Sequence, residues 1–269
     1  MSEFKEISSV QNTLVKKILL LGEKSRERKK TGLFVLEGYR ELQLAIKGSY
    51  AISRVLFQPD MISEEKVLKL LEAQSPQPEM ITISKEVYQK IAYRETTEGV
   101  IAIAQAKSNT LDTLVIPKEK ALVLVAEAPE KPGNIGALLR TADAANLDAV
   151  FIANPKTDLY NPNIIRSSVG CVFTNSVVMA TTTEIISFLK DNNIAIFCAA
   201  LSASKNYIDV DFKKAAAIVV GTESTGLSQA WLDNSDQNII IPMQGDIDSM
   251  NVSVSAAVLI FEAKRQRGF

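Results

Sequence analysis

Three segments in the second half of the chain combine glycines with polar side chains that could position a ligand. They are 132–140 (PGNIGALLR), 219–228 (VVGTESTGLS) and 240–253 (IIPMQGDIDSMNVS). A glycine lets the backbone turn sharply or approach a ligand closely, and amide, hydroxyl and carboxylate groups supply directional hydrogen bonds. These segments are therefore the first candidates for a binding site.

The first segment predicts a turn at Gly133 between a strand and a helix, with Asn134 as the helix N-cap. Arg140 follows one to two turns into that helix. This could be a structural turn with a surface arginine or a nucleotide-binding loop. An NAD site is excluded, because the GxGxxG fingerprint is missing and the next strand ends at Asn154-Pro155 without an acid for a ribose.

The second and third segments each follow a strand-like apolar run. Gly221 and Glu223 lie in a loop that no lysine follows, which excludes a P-loop. That loop is either a turn with a capping acid or a cofactor cradle of backbone groups that Glu223 holds in place. Ser249 and Asn251, which lead into the final helix, are either ordinary caps or ligand-binding groups.

The residue types also exclude several chemistries. The chain has no histidine, which removes Ser-His-Asp triads, Cys-His dyads and the common histidine metal sites. Cys171 and Cys198 are isolated, so we interpret them as core residues in a reducing cytoplasm and expect no metal site. Any catalysis must use carboxylates, lysine, arginine, hydroxyls, amides or a bound cofactor.

Composition predicts a globular cytoplasmic protein. Of the 269 residues, 46% are hydrophobic and 23% are charged, which is typical of folded domains. The N-terminus lacks the features of a signal peptide, and no apolar run reaches the roughly 18 residues of a membrane span. We therefore expect no membrane association.

The chain predicts two α/β domains. Residues 1–106 form a small α/β domain, the polar stretch 107–119 around Pro117 is an interdomain linker, and residues 120–269 form a larger domain. In the larger domain, continuous apolar strands alternate with helices, which indicates a mostly parallel sheet covered on both faces. Ligands bind such sheets beyond the carboxyl ends of the strands, where the three segments above are expected.

Periodicity places the individual elements. The predicted strands are 33–36, 55–58, 100–104, 121–126, 149–153, 177–180, 194–200, 215–220 and 238–241; the predicted helices are 11–21, 38–47, 64–73, 135–145, 163–170, 183–191 and 252–266. The final helix is apolar on nearly all sides, so it is either buried within the monomer or part of a dimer interface.

A basic run lies near the N-terminus. Between Lys16 and Lys30, seven basic and two acidic residues give a local net charge of +5, although the whole chain carries −1. The run is either a solvated helix end or a phosphate-contacting surface. The candidates for phosphate contacts are Arg26, Arg28, Lys29 and Lys30.

Taken together, the three segments resemble the SpoU (TrmH) branch of the SPOUT RNA methyltransferases. That family's motifs read approximately N-x-G-x-x-x-R, G-S/T-E-x-x-G-L and I-P-M-x-G-x-x-x-S-L/M-N-V-S. The matching segments here are 134–140, 221–227 and 241–253, with a further resembling stretch at 161–170. The stretch 34–38 (FVLEG) resembles the F-x-x-E-G of the family's L30e-like RNA-binding domain. Ser224 departs from the usual glycine, and Met250 from the commoner leucine.

The resemblance implies a C-terminal SPOUT domain with a trefoil knot, an N-terminal L30e-like domain, a homodimer, and transfer of a methyl group from S-adenosylmethionine to a ribose 2′-hydroxyl of RNA. It favours rRNA over tRNA as the substrate. The implied catalytic residues are Asn134, Arg140, Glu223, Ser249 and Asn251; the implied cofactor-binding residues are Leu201, Val220, Gly221, Thr222, Ile241, Met243 and Met250; and Arg166 joins the RNA-binding candidates.

Within the implied mechanism, we expect Arg140 to stabilise charge rather than to act as a base, because a guanidinium stays protonated. Two alternatives remain at this point. One is a non-catalytic RNA-binding protein that kept the fold, and the other is a methyltransferase that acts on a base nitrogen.

Overall fold

A computed structural model describes residues 4–93, 98–117, 119–202, 204–222 and 224–269. These residues form two compact units. The first contains the described residues up to Lys107 together with Asp158–Thr174, and the second contains those of Ser108–Thr157 and Asn175–Phe269. The expected boundaries differ in two ways: a segment inside the predicted larger domain belongs to the first unit, and most of the predicted linker belongs to the second.

Part of the predicted linker packs against the second unit. Leu111, Leu114 and Ile116 are partly buried against its core, and a short 3-10 turn covers Leu111–Thr113. The apolar Val115 stands between two of these residues and is exposed, so neither a helical nor a strand period marks the buried side chains in the sequence.

The elements of the chain are numbered here in order. The strands are β1 (Lys5–Ile7), β2 (Leu33–Glu37), β3 (Ile52–Phe57), β4 (Glu79–Ile83), β5 (Val100–Gln105), β6 (Leu122–Glu127), β7 (Ala149–Ala153), β8 (Val177–Ala180), β9 (Ala195–Ala199), β10 (Lys205–Asn206), β11 (Ala216–Val220) and β12 (Gln237–Ile240). The helices are α1 (Thr13–Glu23), α2 (Ser25–Thr31), α3 (Tyr39–Lys47), α4 (Glu64–Leu71), α5 (Lys85–Ile91), α6 (Pro132–Ala144), α7 (Pro162–Ser167), α8 (Thr182–Asp191), α9 (Gln229–Asp233) and α10 (Val252–Arg267).

The first unit is built on a mixed sheet with the order β1-β4-β3-β5-β2. β4 pairs in parallel with β1 and β3, whereas β5 pairs antiparallel with β3 and β2. Helix α1 buries Val15, Ile18 and Leu21 against this sheet. The helix has the i, i+3, i+6 spacing that places these side chains on one face. The prediction of a small α/β domain is thus confirmed at the level of its architecture.

Arg28 requires a correction, because it is not a free surface cation. Its side chain is 5% exposed, and its Nε and Nη2 donate to the two carboxylate oxygens of Asp158 at 2.9 and 2.7 Å. Nη1 donates to the carbonyl of Leu21 at 2.6 Å. A guanidinium that is buried in a bidentate ion pair has no donor directed to an RNA phosphate. The prediction that Arg28 binds RNA is therefore wrong.

An aromatic cluster also joins segment 158–174 to the rest of the first unit. The ring of Phe34 stacks on Tyr160 with centroids 4.3 Å apart and on Phe173 at 5.7 Å. Tyr50 meets both Tyr160 and Phe173 edge to face. Such ring pairs add to the free energy of area burial. The Phe34 of the F-x-x-E-G stretch is therefore a core residue.

The second unit contains a seven-stranded sheet with the order β10-β12-β9-β11-β6-β7-β8, in which all neighbouring pairs are parallel. This confirms the predicted parallel sheet for the described residues. From β6 the chain moves to β7 and β8 on one side and then crosses to β9, so the strand order reverses beside β6. Ligands bind at such reversals, beyond the carboxyl ends of the strands.

Helix α6 begins earlier than predicted. It starts at Pro132, with Lys131 as the N-cap residue, so Asn134 lies inside the first turn and is not the cap. Proline is favoured in the first turn because its missing N–H has no helical partner there. The prediction of Asn134 as N-cap was wrong, and its amide is consequently available to another element.

Among the described residues, no helix has the length and apolar character that crossing a membrane requires. Helix α10 is the longest, with 16 residues. Its buried side chains are Ala256, Leu259, Ile260 and Ala263, whereas Val254 and Phe261 are exposed. The helix is thus partly buried within the monomer and partly uncovered.

Arg28→Ala should lower the free energy of unfolding by about 3–5 kcal/mol, because the substitution leaves the Asp158 carboxylate buried without its partner. Arg26→Ala, at an exposed position two residues away, should change it by less than about 0.5 kcal/mol. Urea unfolding followed by circular dichroism checks both values. Equal stability of the two variants would contradict a structural role for Arg28.

Candidate functional site

The carboxyl end of the parallel sheet carries a small pocket. The ends of β6 and β11 and the beginnings of α6 and α10 surround it. Its lining residues include three of the predicted site residues, Asn134, Gly221 and Thr222. The parallel register explains why these residues lie close together. Val220 of β11 pairs with Ala126 of β6, so both strands end at the same level.

An asparagine pair connects two of the helices. The Nδ2 of Asn251 donates to the Oδ1 of Asn134 at 3.2 Å. The Oδ1 of Asn251 accepts from the backbone N of Ser253 at 3.0 Å and from its Oγ at 2.6 Å, so Asn251 caps α10 as the sequence suggested. Asn251 therefore has two roles. It caps the N-terminus of α10, and it hydrogen-bonds that terminus to α6.

The loop after β11 folds back on itself through two glycines. Thr222 and Gly226 exchange backbone hydrogen bonds of 3.1 Å in both directions. A Cβ atom on Gly221 would collide with the backbone carbonyl of Gly226, and Gly226 has a φ of +66°. Both glycines are thus required by the geometry of the loop. Glu223, which was expected to hold this loop, lies outside the described residues.

A buried carboxylate that the sequence analysis missed supports this loop. Glu127 is 6% exposed and ends β6. It accepts hydrogen bonds from the backbone N of Ser228 at 2.8 Å, from the Oγ of Ser228 at 2.7 Å and from the Oγ1 of Thr182 at 3.0 Å. Ser228 is the N-cap residue of α9, but its hydroxyl bonds to Glu127 and does not cap the helix.

The network continues to the neighbouring strand. The Nδ2 of Asn154, which follows β7, donates to Thr182 Oγ1 at 2.9 Å, and Thr182 follows β8. Glu127 therefore connects the ends of β6, β7 and β8 with the loop after β11. A charged residue that ends an otherwise apolar strand (LVLVAE) was the sequence signal that could have identified it.

Several other predicted site residues of this unit do not line the pocket beside Asn134. Segment 241–251 is irregular; within it Ile241, Met243 and Met250 are half-buried, and Ser249 is exposed and donates to Asp248 at 3.1 Å. Leu201, which follows β9, is 68% exposed. Val220 is buried as the last residue of β11.

Arg140 is exposed on α6 and lies six residues beyond Asn134. With 3.6 residues per turn, six residues correspond to a rotation of about 240°. The two side chains therefore leave the helix on different faces. Arg140 does not line the pocket beside Asn134.

The cysteines are not catalytic candidates. Both are buried, and burial raises the pKa of the Cys198 thiol to about 11. A thiol with such a pKa stays protonated at neutral pH and is a poor nucleophile. Among the described residues, no group of three or more cysteine, aspartate or glutamate side chains could hold a metal ion.

The predicted cationic residues of the first unit, other than Arg28, lie at its surface. Arg26, Lys29 and Lys30 are exposed on α2. Arg166 is exposed on α7, where its guanidinium lies 5.1 Å from the centre of the Tyr93 ring.

Two family models match the chain. The model described as the SpoU rRNA Methylase family matches residues 121–261, and the model described as the MRM3-like substrate binding domain matches residues 12–102. The first match contains the pocket at the strand ends, and the second contains α1–α5 of the first unit.

Individual relatives match over nearly the full length. The chain is 29% identical to the 23S rRNA guanosine 2′-O-methyltransferase RlmP of Bacillus subtilis, over 97% of this chain and 99% of that protein. A crystal structure of an RNA 2′-O ribose methyltransferase is 36% identical and has a TM-score of 0.84, covering 98% of this chain and 100% of its own. The SpoU methyltransferase AviRb of Streptomyces viridochromogenes, in complex with AdoMet, is 25% identical with a TM-score of 0.87, covering 96% and 98%.

The SpoU model spans more than half of the 269 residues, and the solved relatives share the fold over both units. On these grounds, the chain belongs to the SpoU rRNA methylase family.

Proposed function

We propose that this protein transfers a methyl group from S-adenosylmethionine to a ribose 2′-hydroxyl of rRNA. The observation that carries the proposal is the pocket at the strand ends, where the loop after β11 meets the Asn134–Asn251 pair. Family membership and the rRNA 2′-O-methyltransferases among the relatives support the same activity.

The residues present support this cofactor. The backbone of Gly226 lies against Gly221 and leaves no room for a Cβ there, whereas the space beside Gly226 is open, so the loop can present backbone groups to a ligand at Gly226. Backbone groups of Gly221, Ile241 and Met250 would hold the cofactor, with Leu201, Val220, Thr222 and Met243 contributing to its surroundings. When bound, S-adenosylmethionine supplies an electrophilic methyl group on a sulfonium.

The protein's own contribution is positioning and electrostatics. The amides of Asn134 and Asn251, and the hydroxyl of Ser249, would orient the ribose or hold the loops around it; the role expected of Glu223 in holding the loop after β11 concerns a residue outside the described part of the chain. Arg140 donates hydrogen bonds to the 2′-oxygen or the adjacent phosphate and stabilises negative charge as the hydroxyl proton leaves. A guanidinium has no acceptor, so the proton that the oxygen releases as it takes the methyl group passes to solvent water, to which the exposed Arg140 is open.

A homodimer would complete this site. Asn134 lines the pocket of its own copy and Arg140 does not, so a second copy that brings its Arg140 to this pocket would supply the missing charge. Val254 and Phe261 on α10 offer apolar surface that a second copy would cover. A stable and active monomer at micromolar concentration, as measured by sedimentation, would contradict the dimer.

The proposed function also implies a knotted catalytic unit, an RNA-binding first unit and action in the cytoplasm. We propose a trefoil knot in the second unit, supported by β11 returning between β9 and β6 before β12 pairs outside β9. The first unit would be L30e-like, and its match to a substrate binding domain supports RNA recognition there. Because a bacterial relative is a 23S rRNA methyltransferase, we propose that this protein acts on rRNA in the cytoplasm.

The direct test is incubation of the full chain with labelled S-adenosylmethionine and total bacterial RNA, followed by mapping of the modified nucleotide. A labelled ribose in rRNA supports the proposal. Label on a base would favour the base-nitrogen alternative, and binding of RNA without any transfer would favour a non-catalytic RNA-binding protein.

Arg140→Ala should lower the rate of methyl transfer by about 100- to 1,000-fold, the typical loss when a preorganised donor is removed. Because Arg140 is exposed and away from the Gly221 loop, cofactor affinity should stay within about twofold. Single-turnover kinetics and calorimetry measure the two quantities. Near-normal transfer by this variant would remove Arg140 from the mechanism.

The exposed cations of α2 should contribute to RNA capture. Replacing Arg26, Lys29 and Lys30 together by Ala, with the structural Arg28 kept, should weaken RNA binding and flatten its dependence on salt, because fewer counterions are released. Filter binding at several salt concentrations checks this. An unaltered affinity and salt slope would show that these charges only keep a helix end solvated.

A further inference from the structure

The first unit contains a cavity of about 570 Å³. Its volume lies within the range of about 300–1,000 Å³ that is typical of small-ligand sites. Buried aliphatic side chains contribute to its lining, among them Ile18, Ile91 and Ile165. The Glu37-Gly38 pair of the F-x-x-E-G stretch also lines it. Neither the pocket beside Asn134 nor the basic face of α2 includes these residues.

An exposed aromatic ring is held at this cavity. Tyr93 is 56% exposed, yet its backbone N donates to Glu37 Oε2 at 2.8 Å and its hydroxyl donates to Asn163 Oδ1 at 2.9 Å. The guanidinium of Arg166 lies 5.1 Å from the ring centre. An aromatic side chain that is fixed at both ends and still exposed can stack on a flat ligand at little cost in conformational entropy.

The charged residues around the cavity indicate which chemical groups a ligand would carry. Four acidic residues line it, Glu23, Glu37, Glu41 and Glu98, against three basic ones, Arg40, Lys90 and Arg166. The excess of carboxylates disfavours a bound anion such as a free phosphate. Carboxylate oxygens instead accept hydrogen bonds from N–H groups, including the amino groups on the edges of cytosine, adenine and guanine.

The charged residues of the cavity lie nearer the surface than its apolar ones. The three cations are exposed, as are Glu23 and Glu98, whereas Glu37 and Glu41 are half-buried and the isoleucines lie deeper. A flat ligand with N–H donors at its edge, attached to a phosphate chain, suits an apolar interior whose outer part carries both carboxylates and cations. An unpaired nucleotide of RNA has this chemistry.

We propose that this cavity receives one unstacked, amino-bearing nucleobase of the substrate RNA. The base stacks on Tyr93, its amino edge donates to the carboxylates, and the flanking phosphates contact Arg40, Lys90 and Arg166. The inference rests on the proposed function, since it takes RNA as the substrate. It adds a base-reading site to a unit in which sequence motifs indicated only phosphate contacts.

The test measures binding of fluorescein-labelled decamers rA10, rC10 and rU10 to the full-length protein by anisotropy at several salt concentrations. Wild-type protein should prefer rA10 and rC10, because uracil lacks an amino group. Tyr93→Ala should weaken binding of rA10 and rC10 by about 10-fold, the effect expected for one lost base stack, without changing the salt slope. Tyr93→Phe, which keeps the ring but loses the hydrogen bond to Asn163, should weaken binding clearly less than Tyr93→Ala does.

Phe269→Ala is the matched control, since it removes another exposed ring at the far end of the chain. Circular dichroism confirms that the variants are folded. Equal losses in Tyr93→Ala and Tyr93→Phe, no loss in either, or a loss accompanied by a flatter salt slope would each overturn the proposal. So would tighter Tyr93-dependent binding of an arginine-rich decapeptide, which would assign the cavity to a protein partner.

Methyl transfer to total rRNA is measured in parallel, so that the methyltransferase function and the base-binding cavity are tested independently. If wild-type protein methylates rRNA while Tyr93→Ala leaves decamer binding unchanged, the base pocket is wrong and the methyltransferase function stands. If wild-type protein transfers no methyl group to RNA but shows the Tyr93-dependent preference for rA10 and rC10, the catalytic proposal fails and the base pocket stands.

Discussion

A buried carboxylate organises the carboxyl end of the parallel sheet. Glu127 would be costly to bury alone, and the structure satisfies it with three donors from Ser228 and Thr182. Because these donors belong to segments that follow β8 and β11, the same interactions that solvate the charge also hold the strand ends together. The proposed cofactor loop, closed at its other end by the Thr222–Gly226 hydrogen bonds, therefore has both of its ends held.

This arrangement separates binding from chemistry. Beside the pocket, backbone hydrogen bonds shape the Gly221 loop and a neutral hydrogen bond joins Asn134 to Asn251, while the charge of Glu127 acts at the far end of the loop. Arg140 is exposed on α6 outside the pocket lining, and in the proposed homodimer it would supply charge to the partner copy. In the first unit, the proposed RNA contacts would be divided in the same way, between phosphate contacts of the α2 cations and base contacts of the cavity beside Tyr93.

The periodicity of apolar residues was sufficient to predict most helices and strands of the second unit, but it was insufficient for parts of the first unit. Buried parallel strands such as β7 and β11 are continuous apolar runs and were predicted almost to the residue. Helix α2 (SRERKKT) has no apolar stripe, and the same charges concealed that Arg28 is buried by an ion pair with a residue 130 positions away. Site motifs were visible because their order is characteristic, whereas Glu127 and the Tyr93 cavity arise from tertiary contacts that no local pattern contains.

The most direct test of this account is the affinity for S-adenosylmethionine of Glu127→Gln, measured by calorimetry. The amide keeps the shape of the side chain but loses its charge and places N–H groups toward the Ser228 donors, so affinity should fall by about 10- to 100-fold. Glu119→Gln, an exposed control, should bind as wild type does, and urea unfolding should show that both variants are folded at the temperature used. Wild-type affinity in folded Glu127→Gln would contradict the claim that this carboxylate positions the cofactor loop.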